Sequence, residues 1–413
     1  MAALLGVLAL SALVHLPGAA QSPPAPGARP PAPVVKAARP KVAAKAVARG
    51  AEVRNEDGRT RFLLSANAPV AFSTYTLDAP YRVVIDIADL EFALPAASGQ
   101  SGGGLIKSYR FGLLAPGRAR VILDIGGPMR VEAAQLMSGG TQGLHYLVVD
   151  IVGVEEGAFQ RSDPPSLPAA APAPAKPAKP STKPVVMIDP GHGGIDSGTQ
   201  GTAVLEKDIV LQVSLLLRRY LLASGAVDVH MTRTGDTFVS LDERLRRSSE
   251  LESSLFISIH ADSIGAIEFA QSVRGATVYT LSERASDEAA RALAEKENSA
   301  DARVGIDAGA AADKDQVLGI LFDLMRRDTA EHAAEFQSGV IANLGRQVAL
   351  AKDPRRSAAF KVLKQPQSPS VLIELGYMSN AEDEALMRTA DWQKKVAQAI
   401  AKAVTDYFAR RAK

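Results

Sequence analysis

Between residues 51 and 155, apolar side chains recur at every second position. Tyr81, Val83, Ile85 and Ile87 alternate with Arg82, Asp86 and Ala88, and the device returns at Val121, Leu123 and Ile125 and at Leu147, Val149 and Ile151. A period of two belongs to strands with one buried face and one solvated face. Gly, Pro and Asn clusters separate the runs, which share a theme: VVIDIADL, VILDIGG and LVVDIVG. An all-β domain of the sandwich type is expected here. Its one histidine, His145, has no catalytic partner nearby in sequence, so a binding module is expected rather than an enzyme.

From 185 to 413 the pattern changes. The runs PVVMID, VDVHMTR, SLFISIH, GATVYTL and SVLIELGY are nearly continuous apolar stretches, as strands buried on both faces require. Helical patterns intervene at Glu206 to Leu222, at SLDERLRRSSEL, in an Ala-rich region and from about 391. On the first of these helices an apolar stripe runs through Leu205, Ile209, Val213, Leu216 and Tyr220, and Gly225 follows its end. Alternating β and α elements predict an α/β domain: a mostly parallel sheet with helices on both faces.

Two further segments carry no periodicity. Residues 21–50 are rich in Pro, Ala and basic residues (Arg29, Lys36, Arg39, Lys41, Lys45, Arg49), and residues 156–184 contain PAAAPAPAKPAKPSTKP. Both are expected to be extended linkers. The basic character of the first suits either a solubilising spacer or a segment held near an anionic surface. Residues 1–20, an apolar run ending in Pro17-Gly18-Ala19-Ala20, have the form of a secretory signal. That predicts export to the periplasm without a stable transmembrane anchor.

Composition narrows the chemistry. The 413 residues have a net charge of +2, too small to argue for nucleic acid, and contain no cysteine. An exported chain without cysteine has no disulfide framework, and any metal must be held by His, Asp and Glu.

In open α/β sheets, ligands bind beyond the carboxyl ends of the strands. PVVMID delivers Asp189-Pro190-Gly191-His192-Gly193-Gly194, SLFISIH delivers His260-Ala261-Asp262, SVLIELGY carries Glu374, and Glu206 opens the first helix. Two imidazoles and a carboxylate make a three-ligand zinc site with an open position, and a second carboxylate beside it can move a proton. His230, inside a strand, and His332, in a helix, are expected to be structural. Asp189, Asp196 and Asp262 are candidates for fixing imidazole tautomers, although turn capping is the more ordinary role. Arg233 and Arg244 are candidates either for gripping an acidic substrate or for pairing with Asp236 and Asp242.

MIDPGHGGIDSGTQG, LEKDIVL, MTRTGDTFVSLDERLRRSSEL, LFISIHAD and SPSVLIELGYMSN occur in this order. Together they resemble the motifs of zinc-dependent N-acetylmuramoyl-L-alanine amidases of the cell-division type, over roughly residues 185–410. The resemblance implies Zn2+ on His192, Glu206 and His260, with Glu374 as catalytic acid/base. The substrate it implies is peptidoglycan, cut between N-acetylmuramic acid and L-alanine. The region from 51 to 155 resembles, less sharply, the AMIN domain that recruits such enzymes to the division site. A zinc endopeptidase or carboxypeptidase, or a wall-binding scaffold with a degenerate site, are the alternatives.

Residues 283–328 are too long for an ordinary connection. They begin with the acid-rich helix former ASDEAARALAEKENSAD and end with the apolar DQVLGILFDLMRRD. Members of the family with such an insertion resemble autoinhibited enzymes. The expectation is that Glu295 or Glu297 occupies the open zinc position, and that 315–327 is where a protein activator docks.

Overall fold

The computed structural model describes residues 45–56, 58–95, 98–139, 143–162, 182–263, 273–306, 319–365 and 367–411, with backbone only at 319–327. The signal, most of both linkers and the proposed activator surface at 315–327 therefore lie outside what is described in full.

Among the described residues, nine strands form the first domain: β1 (Ala46–Glu56), β2 (Arg59–Ala66), β3 (Phe72–Leu77), β4 (Arg82–Ala88), β5 (Leu90–Phe92), β6 (Ile106–Ala115), β7 (Arg118–Ile125), β8 (Met129–Gly139) and β9 (Leu144–Gly153). They make two sheets, β5-β1-β2-β9-β8 and β3-β4-β7-β6. The alternating residues do what their period requires. Val83, Ile85 and Ile87 of β4, Val121, Leu123 and Ile125 of β7, and Leu147, Val149 and Ile151 of β9 share one core between the sheets.

The basic segment gives way to structure earlier than its composition suggests. Ala46 and Val47 pair with β5, and Ala48 and Gly50 pair with β2, because a backbone ladder asks little of side-chain identity. The start of the second linker is also tied down. Thr76 N donates to Ser162 Oγ at 2.8 Å, and Thr76 Oγ1 donates to Gln160 O at 2.9 Å.

The second domain runs β10 (Val185–Pro190), α1 (Glu206–Ser224), β11 (Asp228–Met231), α2 (Leu241–Glu250), β12 (Leu255–His260), β13 (Ala276–Leu281), α3 (Glu288–Asn298), α4 (Ala300–Arg303), α5 (Gly319–Leu344), β14 (Leu350–Ala358), β15 (Ser370–Glu374), α6 (Ala381–Met387) and α7 (Ala390–Arg411). Its sheet has the order β11-β10-β12-β15-β13-β14. All neighbours are parallel except β13 and β15. Residues of α1, α5 and α7 share a core with one face of the sheet, and residues of α2 and α3 pack against the other. No described helix is long and apolar enough to cross a membrane.

Three details depart from the sequence reading. The buried stripe of α1 is Ile209, Val210, Val213, Leu217 and Leu221, rotated from the expected one, because α7 covers a second flank of that helix. Strand β14 has mostly exposed and half-buried positions, and so gave no apolar run to read. The apolar segment of the insertion does not end near residue 328: from Gly319 it continues as one helix to Leu344.

Candidate metal centre

The chain leaves β10 and turns to β11 on one side and, later, to β12 on the other, so the carboxyl ends of β10 and β12 flank a switch point. His192 follows β10 by two residues, His260 is the last residue of β12, and Glu374, the last of β15, is its register partner. Glu206 is the first residue of α1 and is fully buried. Its carboxylate lies where the positive end of the helix dipole favours an anion. It accepts hydrogen bonds from Thr199 N at 2.8 Å and from Ala261 N at 2.9 Å.

The structure brings His192, Glu206 and His260 together with ligand atoms within 4.8 Å of one another. Glu206 Oε1 is 3.1 Å from His192 Nε2 and 3.3 Å from His260 Nδ1. Both ring nitrogens are buried and hydrogen-bond to nothing. Two orphaned imidazole nitrogens facing one carboxylate oxygen are costly unless a cation joins them. Burial opposes a charge on His192, yet the carboxylates of Glu206, Asp196 and Glu297 outweigh it and raise its pKa well above the ordinary value. The pocket draws in positive charge, and the donor set of two nitrogens and one oxygen fits zinc.

Asp196 Oδ2 sits 2.9 Å from His192 Nδ1, and its Oδ1 accepts from Gly198 N at 3.2 Å. It therefore both caps the turn and fixes the tautomer that leaves Nε2 bare. Asp262 touches neither imidazole. Its Oδ1 accepts from Thr199 Oγ1 at 2.5 Å and from Lys296 Nζ. Glycines give the imidazoles room: a Cβ at Gly191 would lie 2.5 Å from His260 Cε1, and one at Gly198 would lie 2.6 Å from His192 Cδ2. His192 itself has φ +56, a left-handed conformation that a β-carbon makes unfavourable and that surrounding bonds must maintain.

Glu374 is fully buried. Its Oε2 accepts from Asp262 N at 2.9 Å, while Oε1 is without a partner. Burial, then the negative charges of Asp262 and Glu206, push its carboxyl well above the usual carboxylate range.

Of Glu295 and Glu297, it is Glu297 that lies beside the imidazoles. Its Oε2 is 3.5 Å from both His192 Nε2 and His260 Nδ1. Glu295 is exposed and paired with Arg291 on the opposite side of α3. The adjacent Lys296 reaches Asp262 and, at 3.1 Å, Thr199 Oγ1.

Arg233 and Arg244 are buried, and their hydrogen bonds go to backbone carbonyls and to Asp189 rather than to Asp236 or Asp242. Arg244 donates to Asp189 Oδ1 and Pro190 O at 2.7 Å, and to Val239 O and His192 O at 2.9 Å. Arg233 donates to the carbonyls of Pro190, Gly191, Lys207 and Gly235 at 2.7 to 3.1 Å. Burial and the neighbouring Arg244 pull its pKa down to about 10. The two guanidinium groups shape the loop that carries His192. Asp189, bonded also to Thr232 and Ser258, belongs to that scaffold and contacts no imidazole. Thr199 and Lys296 carried no motif that singled them out in the sequence.

An α/β sheet with a His-Glu-His cluster that could hold a metal ion at its switch point, and a buried carboxylic acid beside it, is a frame for hydrolysis. Comparison with known proteins says which kind. The N-acetylmuramoyl-L-alanine amidase model matches residues 186–406, and the AMIN domain model matches residues 50–153. The chain is 30% identical over 371 residues to the N-acetylmuramoyl-L-alanine amidase AmiC of Escherichia coli, covering 85% of this chain and 87% of that one. It is 30% identical over 372 residues to AmiC of Neisseria meningitidis, covering 84% and 87% respectively. To AmiA of Escherichia coli it is 40% identical over 229 residues, 55% of this chain and 76% of that one. The chain belongs to the N-acetylmuramoyl-L-alanine amidases, with an N-terminal AMIN domain, and acts in peptidoglycan remodelling.

Proposed function

We propose that the amidase is zinc-dependent, that it works in the periplasm, and that α3 holds it inactive. His192 through Nε2, His260 through Nδ1 and Glu206 through Oε1 are the ligands. The observation carrying this is the pair of buried, unpartnered imidazole nitrogens on either side of one carboxylate oxygen. When bound, zinc supplies a Lewis acid for the scissile carbonyl and lowers the pKa of water toward about 7.

The rest is done by the chain. Asp196 keeps the proton of His192 on Nδ1. Glu374 presents its free Oε1 to the reacting groups and takes a proton as water adds to the lactyl carbonyl carbon. It returns that proton to the alanine nitrogen as the C–N bond breaks. A carboxyl whose pKa lies above the ordinary range can serve both steps near neutral pH. The buried surroundings of Glu374 keep bulk water from competing for that proton.

In the inhibited state Glu297 stands against both imidazoles and Lys296 against Asp262, so the substrate carbonyl has no access. An activator that docks on the segment around 315–327 would free the site. Three samples of purified sacculi test this: one digested by wild type, one by Glu297→Ala and one by Glu374→Gln, each with and without chelator. Free stem peptides on intact glycan, more from Glu297→Ala than from wild type, none from Glu374→Gln and none with chelator, are expected. Chelator-resistant release would overturn zinc dependence, and a Glu297→Ala rate equal to wild type would overturn inhibition.

A further inference from the structure

The alternation of the AMIN domain fails on β4 and β7, among other places. Val84 on β4 and Ile122 on β7 point away from the sandwich core, on the face that the period assigns to solvent, yet both are fully buried. Together with Tyr75 and Leu77 of β3 they form one cluster with Ile195, Phe238 and Val304 of the amidase domain. The outer face of β3-β4-β7 is therefore an interdomain surface, and its sequence is apolar for that reason.

Polar contacts at the rim of this patch fall on one short segment. Arg82 Nη1 donates to Ala302 O at 2.7 Å and to Arg303 O at 3.4 Å. Arg120 Nη1 donates to Val304 O at 2.6 Å, while the other side of its guanidinium is locked on Asp86 at 2.6 and 2.8 Å. The Tyr75 hydroxyl lies 3.4 Å from Gly305 O. These carbonyls belong to the end of α4 and the turn after it. A helix end leaves its last carbonyls without intrahelical donors, and its partial negative charge suits a cation. Only Asn298, Ser299 and α4 separate this grip from Glu297. The edge strand β6 adds a second hold near the site, Leu113 O accepting from Ile195 N at 3.2 Å and from Phe238 N at 3.3 Å.

We propose that the AMIN domain latches the inhibitory helix: the β3-β4-β7 face is a docking surface for residues 302–305, and its seating keeps Glu297 against the imidazoles. The latch rests on the reading of α3 as a plug. It implies that whatever draws the AMIN domain off this face, a wall ligand included, loosens α3 without touching it.

Amide exchange followed by mass spectrometry on the full-length chain tests the latch independently of hydrolysis. The variants are Arg82→Ala, on the AMIN side, Val304→Ala, on the segment it grips, and the pair together. Exchange across 288–305 is expected to quicken about tenfold or more in each single variant, the scale of one lost charge-assisted bond or a lost buried contact. Amides of β4 and β7 should be unchanged. The double variant should add little, because both substitutions open the same contact. Unchanged protection of 288–305 in both single variants would overturn the latch. Should Arg82→Ala also expose β4 and β7, the Val304→Ala result decides alone, since that side chain lies outside the sandwich core. If Glu297→Ala released no more peptide than wild type, the plug reading would fail, whereas the exchange result would still report on the grip.

Discussion

Replacing Arg244 with Met distinguishes a scaffold from a substrate clamp. The side chain is buried and satisfies four acceptors, of which one is the fully buried carboxylate of Asp189. Met fills a similar volume but leaves that carboxylate without its counter-charge and takes a donor from three carbonyls, of which Pro190 O keeps Arg233. Removing one partner of a buried ion pair costs about 3–5 kcal/mol. For a domain of this size each kcal/mol moves Tm by roughly 2–4 °C, so a fall of about 6–20 °C is expected. Calorimetry on the full-length chain, with urea unfolding as a check, measures it. Adding Asp189→Asn should recover part of the loss, because the uncompensated charge is then gone. A clamp on an acidic stem would instead lower peptide release and leave the melting curve in place. A Tm within about 2 °C of wild type together with lost activity would refute the scaffold assignment.

Two further outcomes follow from the same site. His192→Ala and Glu206→Gln should each lose bound zinc by elemental analysis. Each should also lose the ligand-dependent rise in stability, about 2.7 kcal/mol for wild type at a hundredfold excess over Kd. Asp189 makes the acid limb of stability steeper. Burial opposes its charge, but Arg244, Thr232 and Ser258 hold its pKa below the ordinary 3.8. A depressed carboxylate pKa stabilises the fold fully above the unfolded value and loses that contribution as pH falls through the folded one. Asp189→Asn should therefore flatten the stability curve below about pH 4 while lowering its plateau, and an unaltered acid limb would remove Asp189 from the account.

What the sequence disclosed depended on whether a role was local. Strands buried on both faces are continuous apolar runs, and the residue after each run is placed at the sheet edge by topology alone. That is why the sequence placed His192, His260 and Glu374 together at one sheet edge before any coordinate. The sandwich was legible because Val83, Ile85 and Ile87 obey a period of two. Val84 breaks that period, and the break carried information about a second buried face that the alternation alone does not separate from noise. The partners of Arg233 and Arg244 were not legible because all but one of their acceptors, Asp189, are backbone carbonyls, which leave no trace in a sequence. The choice between Glu295 and Glu297 was open to a closer reading. Ala290, Leu293, Ala294 and Glu297 follow the i, i+3, i+4, i+7 spacing of one helix face, and all four are buried. Glu295 falls off that face.

The charge on α3 constrains how the proposed inhibition can end. Its two site-facing residues, Lys296 and Glu297, are adjacent and of opposite sign. The first meets Asp262 and the second meets the imidazoles. The pair adds no net charge to the pocket, so long-range attraction contributes little to seating it. Salt, which screens exposed charges over about 8–10 Å, should scarcely loosen the buried Glu297 contacts, although Lys296 is partly exposed. Under the proposed inhibition, competition at the pocket is also disfavoured, because Glu297 is 5% exposed. What remains is displacement of the helix as a body, from its ends. At one end Asp287 caps α3 through Ala290 N at 2.8 Å and pairs with Arg356 of β14 at 3.5 Å, ties that stay within the catalytic domain. At the other end α4 is tied to the AMIN domain by Arg82 and Arg120. Of the two ends, the second is the one bonded to the AMIN domain, so under the proposed latch release is driven from there.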